Sequence, residues 1–120
     1  MILDRILQEI SPDAIIPKPA ARESFTIKGE GRRRGERALV YRIPNHSDPE
    51  KPHEKGVTAT ELEDAHTELI RTGRLTRTWF NDQLSACADE GACNFTTIGG
   101  LFILLGEAEY AERGIYRRRT

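Results

Sequence analysis

The chain has 120 residues, which is enough for one domain with a modest hydrophobic core. Charged residues make up 31% of it and hydrophobic residues 38%, a composition that is typical of globular proteins and that excludes fibrous and fully disordered chains. The formal net charge of −1 indicates neither a strongly acidic nor a strongly basic partner.

No membrane-spanning or secretory segment is predicted. The longest apolar run, Leu101 to Leu105, is far shorter than the roughly 20 residues that cross a bilayer. The stretch from Met1 to Arg5 does not begin a basic segment followed by an apolar one, so it lacks the pattern of a signal peptide. We therefore expect a cytoplasmic protein with no membrane partner.

Residues 1–23 are predicted to form a helix followed by an extended arm. The apolar residues of the first ten positions fall on one helical face: Ile2, Leu3, Ile6, Leu7 and Ile10. Proline lacks an amide hydrogen and restricts the residue before it, so Pro12, Pro17 and Pro19 prevent a longer helix. The arm either packs along its own domain or lies on a neighbouring subunit.

Residues 24–44 are predicted to form a β-hairpin. Phe25–Lys28 has the composition of a short strand, and Glu36–Ile43 has the alternation of a longer one. The glycine-rich stretch Gly29–Gly35 between them is expected to be a mobile tip, because glycine permits positive φ angles. Residues 45–56 are polar and carry two prolines, so we expect a loop there.

Residues 57–120 begin with the most clearly marked helix of the chain. Thr58 and Glu61 have the spacing of a capping box, in which each side chain bonds the backbone of the other residue. Apolar residues then recur on one face, and Gly73 is placed to end the helix.

Two more helices and a ribbon are predicted after Gly73. The second helix is expected from Leu75 to Ala86, followed by a turn at 89–92. The third is expected over Phe95–Leu105, with Asn94 or Thr96 as its N-cap. The segments on either side of the turn at 111–114 then have the pattern of a two-stranded ribbon.

This order of helix, helix, helix and ribbon resembles the winged helix-turn-helix superfamily over residues 57–118. The resemblance implies a buttressing first helix, a crossing second helix, a third helix in the DNA major groove and a wing beside the phosphates. We therefore predict a single α+β domain: an N-terminal arm and β-hairpin, then a three-helix winged-helix-like unit with a C-terminal β-ribbon.

The third helix is unusually apolar for a helix that reads DNA. It has no charged residue between Phe95 and Leu105, and only Asn94, Thr96 and Thr97 at its first turn are predicted to lie near bases. The alternative is a buried core helix or a protein interface, in which the glycine pair at 99–100 lets another backbone approach closely.

The basic residues are clustered although the net charge is near zero. Of 18 Lys and Arg, six lie between Lys28 and Arg42 and four between Arg113 and Arg119. Long cationic side chains at hairpin tips and chain ends can follow phosphates. The predicted phosphate contacts are Arg32, Arg33, Arg34, Arg37, Arg113, Arg117 and Arg118. The alternative for the triple arginine is a solvated turn.

Neither catalytic residues nor a cofactor or metal ion is predicted. Cys87 and Cys93 lie six positions apart, which permits a disulfide, but a cytoplasmic chain would keep both thiols reduced. The three histidines have none of the spacings of metal-ligand motifs, and the glycine-rich loop lacks the Lys-Ser/Thr ending of a phosphate-binding loop. An enzyme is the less favoured class.

Two functions remain as hypotheses. The first is a small DNA-binding protein, acting as a regulator by occupying double-stranded DNA, with affinity supplied by the arginine clusters. The second is a non-enzymatic protein-interaction module or homodimer that uses the apolar third helix or the N-terminal arm.

Overall fold

The structure is a computed structural model that describes residues 1–19, 21 and 23–120. These residues form helices and two antiparallel sheets. The first sheet has the strand order β1-β2-β3-β4 and the second the order β5-β7-β6. The predicted α+β class with antiparallel strands is confirmed.

The N-terminal segment folds onto its own sheet. Helix α1 spans Ile2–Glu9, and strand β1, Ile15–Ile16, pairs with the first residues of β2. Of the two alternatives for the arm, the structure therefore has the one in which it packs along its own domain. Ala20 and Arg22, which belong to the predicted arm, lie outside the described residues.

The hairpin is longer and its turn tighter than predicted. Strands β2 (Phe25–Arg33) and β3 (Glu36–Ile43) run up to a two-residue turn. Arg34 and Gly35 both have positive φ angles there, 48° and 80°, as a type I′ hairpin turn requires. The expected mobile tip over Gly29–Gly35 is therefore wrong, because most of it is paired with β3.

The predicted loop over 45–56 is wrong in its second part. Strand β4 spans His53–Thr58 and pairs with β3, where Val57 lies opposite Leu39. Both side chains are fully buried. Pairing with a strand that already has a buried face thus outweighs the polar character of residues 53–55.

Helix α2 spans Ala59–Thr72 and confirms its predicted caps. The Glu61 amide donates to Thr58 Oγ1 at 3.1 Å, and the Thr58 amide donates to Glu61 Oε1 at 2.8 Å. Gly73 ends the helix with a φ of 81°. Both ends are therefore defined by contacts within a few residues of sequence.

The predicted second helix over Leu75–Ala86 is replaced by three short elements. They are β5 (Arg74–Thr76), α3 (Arg77–Gln83) and α4 (Ser85–Glu90). Residues 74–76 pair with the C-terminal strand β7, so they are not available to a helix. Thr76 Oγ1 then accepts from the Trp79 amide at 3.1 Å and caps α3. The turn predicted at 89–92 starts later, because Asp89 and Glu90 belong to α4.

The third predicted helix and the ribbon are both present. Helix α5 spans Cys93–Leu104, two residues earlier than expected, with Ala92 at its N-cap position. Strands β6 (Ala108–Glu112) and β7 (Ile115–Arg118) form the ribbon around Arg113 and Gly114.

Helix α5 lies inside the protein, in contact with both sheets. A Cβ atom on Gly99 would lie 2.2 Å from Tyr116 Cζ of β7, and one on Gly100 would lie 2.5 Å from the Pro17 carbonyl oxygen after β1. The structure therefore has α5 as a core helix. One hydrophobic cluster joins residues of α1, the first sheet, the helices and the ribbon: Leu3, Ile6, Leu39, Tyr41, Leu62, Leu69, Phe80, Phe95, Leu101 and Tyr116, among others.

We predict that Gly99→Ala destabilises the protein. Helix propensity alone favours alanine over glycine by about 1 kcal/mol, but the added methyl group would overlap the buried ring of Tyr116, and overpacking costs about 1–3 kcal/mol. Urea denaturation measures the sign. In a Tyr116→Leu background the same substitution should be less harmful. A more stable Gly99→Ala protein would contradict the close packing.

Candidate functional site

Arg34 at the hairpin turn holds the two halves of the chain together. Its Nε and Nη2 donate to the two carboxylate oxygens of Glu61 at 2.8 and 2.7 Å, and its Nη1 donates to Glu90 Oε2 at 3.0 Å. Its Nη2 also donates to the Gly56 carbonyl at 2.9 Å. The Arg34 side chain is only 22% exposed. Its donors are thus directed into the protein and away from any phosphate.

The contact with Arg34 affects the pKa of the Glu61 carboxyl. Burial acts to raise the pKa of its carboxyl, but hydrogen bonds from Arg34 and from the Thr58 backbone outweigh burial and hold the pKa below its usual value. Glu61 therefore stays ionised and both caps α2 and binds the hairpin turn.

The other arginines of the hairpin also have partners within the chain. Arg37 donates to Glu30 at 2.8 Å and to Asp4 at 2.9 Å. Arg33 Nε lies 3.6 Å from the Glu90 carboxylate, and Arg32 donates to the Gly35 carbonyl. Of the four predicted phosphate-binding arginines of the hairpin, three therefore form ion pairs within the chain, and Arg32 forms none among the described residues.

Arg34→Ala should lower the free energy of unfolding by about 1–3 kcal/mol, because it leaves the Glu61 and Glu90 carboxylates without their main partner. Arg32→Ala, two residues away in the same hairpin, is the matched control and should change it by at most about 0.5 kcal/mol. Thermal or urea denaturation compares the two variants. Equal effects would contradict the structural role of Arg34.

The polar residues at the start of α5 face inward. Asn94 is fully buried; its Nδ2 donates to the Cys87 carbonyl at 2.9 Å and its Oδ1 accepts from the Tyr41 hydroxyl at 2.6 Å. Thr97 is also fully buried. The prediction that these two side chains lie near bases is therefore incompatible with their positions, because the sheet and α4 cover them. Thr96 is partly exposed.

A cavity of about 490 Å³ lies beside this end of α5. Its walls come from the arm after β1, the start of α3, the first turn of α5 and the tip of the β6–β7 ribbon. Three cations line it, Lys18, Arg77 and Arg113, and no Asp or Glu is among the described residues that do so. The whole chain has 19 acidic and 18 basic residues, so the cavity is locally far more positive than the average.

Lys18 is the cation of the arm. Its Nζ donates to Thr96 Oγ1 and Thr97 Oγ1, both at 2.7 Å, and to the Cys93 carbonyl at 3.1 Å. It also lies 4.2 Å from the centroid of the Phe25 ring. Burial lowers the pKa of this ammonium to about 7, against an opposing effect of Cys93 and with a further lowering by Arg77.

Arg77 on α3 and Arg113 at the ribbon tip are the other two cations of the cavity. The Arg77 guanidinium lies 4.7 Å from the centroid of the Phe95 ring and donates to the Ala92 carbonyl at 3.0 Å. Its backbone amide donates to the Gly114 carbonyl, which joins α3 to the ribbon tip. Arg113 is exposed at that tip, and among the described residues its guanidinium has neither a hydrogen bond nor an ion pair.

Aromatic rings form the apolar part of the cavity wall. Tyr116 contacts Phe95 and Tyr110 edge to face, with centroid distances of 5.5 and 5.7 Å. The Tyr116 hydroxyl is buried and has no hydrogen-bond partner among the described residues. Burial raises its pKa to about 12, so it remains a protonated donor.

The remaining predicted site residues, Arg117 and Arg118, lie on β7 and do not line the cavity. Arg117 donates twice to Glu109 across β6 and β7, at 2.9 and 2.8 Å, and Arg118 donates to the Ile70 carbonyl of α2 at 3.4 Å. Of the predicted set, the structure brings Thr96 and Arg113 together at the cavity. Four other residues of the cavity were not predicted from the sequence: Lys18, Arg77, Asn81 and Tyr110. The property that they share is a side chain that can contact a phosphate or a base.

Comparison with protein-family models, with curated proteins and with solved structures returned no match. In the part of the chain that the structure describes, no three His, Cys, Asp or Glu side chains are grouped so that they would hold a metal ion. Over the same residues, none of the helices has the length and apolar character needed to span a bilayer.

Proposed function

We propose that this chain binds nucleic acid through the basic cavity. The observation that carries the proposal is the convergence of Lys18, Arg77 and Arg113 on one cavity without an acidic residue among its described lining, in a protein of near-zero net charge. Phosphate groups are the ligands that such a concentration of positive charge favours.

We further propose that residues 57–118 are a winged-helix-like unit. In support, a helix, a strand, further helices and a ribbon follow one another, and the first strand pairs with the last in the order β5-β7-β6. The ribbon, with Arg113 at its tip, would then be the wing that lies beside phosphates. The unit departs from the expected pattern in its additional helix α4 and in the burial of α5.

The mode of binding follows from which side chains are accessible. With Asn94 and Thr97 buried, α5 offers few donors or acceptors to base edges, so phosphate contacts would supply most of the affinity and sequence preference would be weak. Occupancy of the nucleic acid is then the mechanism by which the protein would act. We assign the phosphate contacts to the cavity in place of the hairpin arginines, whose guanidinium groups have internal partners.

The homodimer or protein-interaction alternative is less favoured. It relied on the apolar third helix or the N-terminal arm, and both pack within the chain: α5 against Tyr116 and Pro17, β1 against β2. A surface that is already covered cannot be the proposed interface without unfolding.

Fluorescence anisotropy with a labelled 20-base-pair duplex, measured over a salt series, tests the proposed function. Each phosphate contact contributes about 0.9 to the slope of log affinity against log salt. Arg113→Ala should weaken binding and reduce the slope by about that amount. Arg71→Ala removes the same charge from an exposed site on α2 outside the cavity and should leave the slope unchanged. Absence of binding at low salt, or equal effects of the two variants, would contradict the proposal.

We also expect affinity for the duplex to fall as pH rises from 6 to 8.5. The Lys18 pKa is about 7 in the free protein, and a nearby phosphate favours the ammonium form, so binding takes up protons and is stronger below pH 7. The facing groups are Arg77, Cys93 and Tyr41; burial raises the pKa of Tyr41, which keeps it neutral in this range.

Lys18→Met is the test of that dependence. It should bind more weakly than the unaltered protein at pH 6 and show a flatter pH profile, whereas Arg71→Ala should keep the original profile. An unaltered protein whose affinity is constant from pH 6 to 8.5 would show that Lys18 does not contribute charge to the site.

A further inference from the structure

We propose that the basic cavity accommodates a single unpaired nucleotide, with its base against the aromatic wall and its phosphate at Arg77 and Arg113. This inference rests on the proposed nucleic-acid binding and specifies which part of the nucleic acid the site recognises.

The size of the cavity suits a single nucleotide. Contacts to the phosphates of an intact duplex need only a surface, whereas this site is a cavity of about 490 Å³, within the range of about 300–1,000 Å³ that is usual for small-molecule sites. A base that remains paired and stacked in a duplex is not free to enter it. A nucleotide that lies outside the stack is free to enter the cavity.

The lining supplies the three kinds of contact that a nucleotide needs. Phe95, Tyr110 and Tyr116 form an aromatic wall in which Phe95 and Tyr116 are buried, so Tyr110 presents the ring against which a base can pack. Tyr110 is only partly buried and so retains accessible surface at the cavity. The stacking of bases on aromatic rings tolerates any base, which agrees with the weak sequence preference expected above.

Polar groups at the cavity complement the edges of a base. Asn81 lines it from α3 and is exposed, and an amide offers both a donor and an acceptor. The Tyr116 hydroxyl has no hydrogen-bond partner among the described residues, but it is buried and adds no accessible donor to the cavity.

The cations are placed for the phosphate. Arg77 stacks on Phe95 and so joins the aromatic wall to the positive part of the cavity, while Arg113 stands at the rim on the ribbon tip. Lys18 contributes charge from the arm, but its three hydrogen bonds to Cys93, Thr96 and Thr97 direct its donors into the protein. Arg77 and Arg113 are therefore the direct phosphate contacts.

Three labelled probes separate this inference from duplex binding in general. They are a 20-base-pair duplex, the same duplex with one unpaired adenosine in the middle, and the same bulge with an abasic residue. The two bulged probes have equal numbers of phosphates and differ only in the base. The bulged adenosine should bind roughly 5- to 100-fold more tightly than the abasic bulge, the range expected when one stacked base is lost.

Two pairs of variants locate the effect. Tyr110→Leu keeps an apolar residue on β6 but removes the ring, and it should abolish the difference between the bulged probes. Trp79→Leu alters a partly buried aromatic residue outside the cavity and should preserve it. Asn81→Asp places a carboxylate in the cavity and should weaken all three probes, whereas Gln83→Glu adds the same charge on α3 outside the cavity and should have little effect. Thermal denaturation checks that each variant is folded.

The outcomes distinguish the two proposals. Equal affinity for the adenosine and abasic bulges, with duplex binding intact, overturns the unpaired-nucleotide site and leaves nucleic-acid binding standing. Binding of none of the probes overturns both. Competition by adenosine monophosphate is a further arm: if it displaces none of the bulged probe, the cavity does not hold the nucleotide.

Discussion

The packing of α5 between Tyr116 on one side and Pro17 on the other constrains most of what the protein can do. Both contacts require glycine, because a Cβ at either position would overlap the neighbouring group. With the helix held this closely, Asn94 and Thr97 are enclosed, and the first turn of α5 becomes part of a cavity wall. The polar and cationic side chains that a ligand can reach therefore lie at the cavity and not along an exposed face of α5.

The cationic residues of the hairpin and those of the cavity have different kinds of partner. The hairpin arginines are matched by carboxylates: Arg34 by Glu61 and Glu90, and Arg37 by Glu30 and Asp4. Lys18 and Arg77 are instead set against aromatic rings and backbone carbonyls, which carry no formal negative charge. Carboxylates offset the charge of the hairpin arginines locally, whereas no carboxylate is among the described residues that line the cavity.

The parts of the fold that sequence predicted correctly are those determined by neighbours in sequence. Helix α2 follows from the Thr58–Glu61 capping box and from Gly73, all within a few residues of its ends. Strands β4 and β5 were missed because each is determined by a partner strand outside its own segment: β4 pairs with β3, and Arg74 pairs with the distant Arg117. The arginine run was misassigned for a similar reason, since the partners of Arg34 lie 27 and 56 positions away. Lys18 and Arg77 meet only in the folded chain, so no local pattern indicated the cavity.

The arm has a consequence for how this fold can be divided. Ile16 and Pro17 cover Gly100, and Lys18 completes one wall of the cavity, although all three precede helix α2 by more than forty positions. A fragment of residues 59–118 would expose the apolar flank of α5 and would lack that wall. Residues 59–118 are therefore not expected to fold and bind as a separate unit. Recombination or truncation that separates them from the N-terminal segment removes structural integrity and the site together.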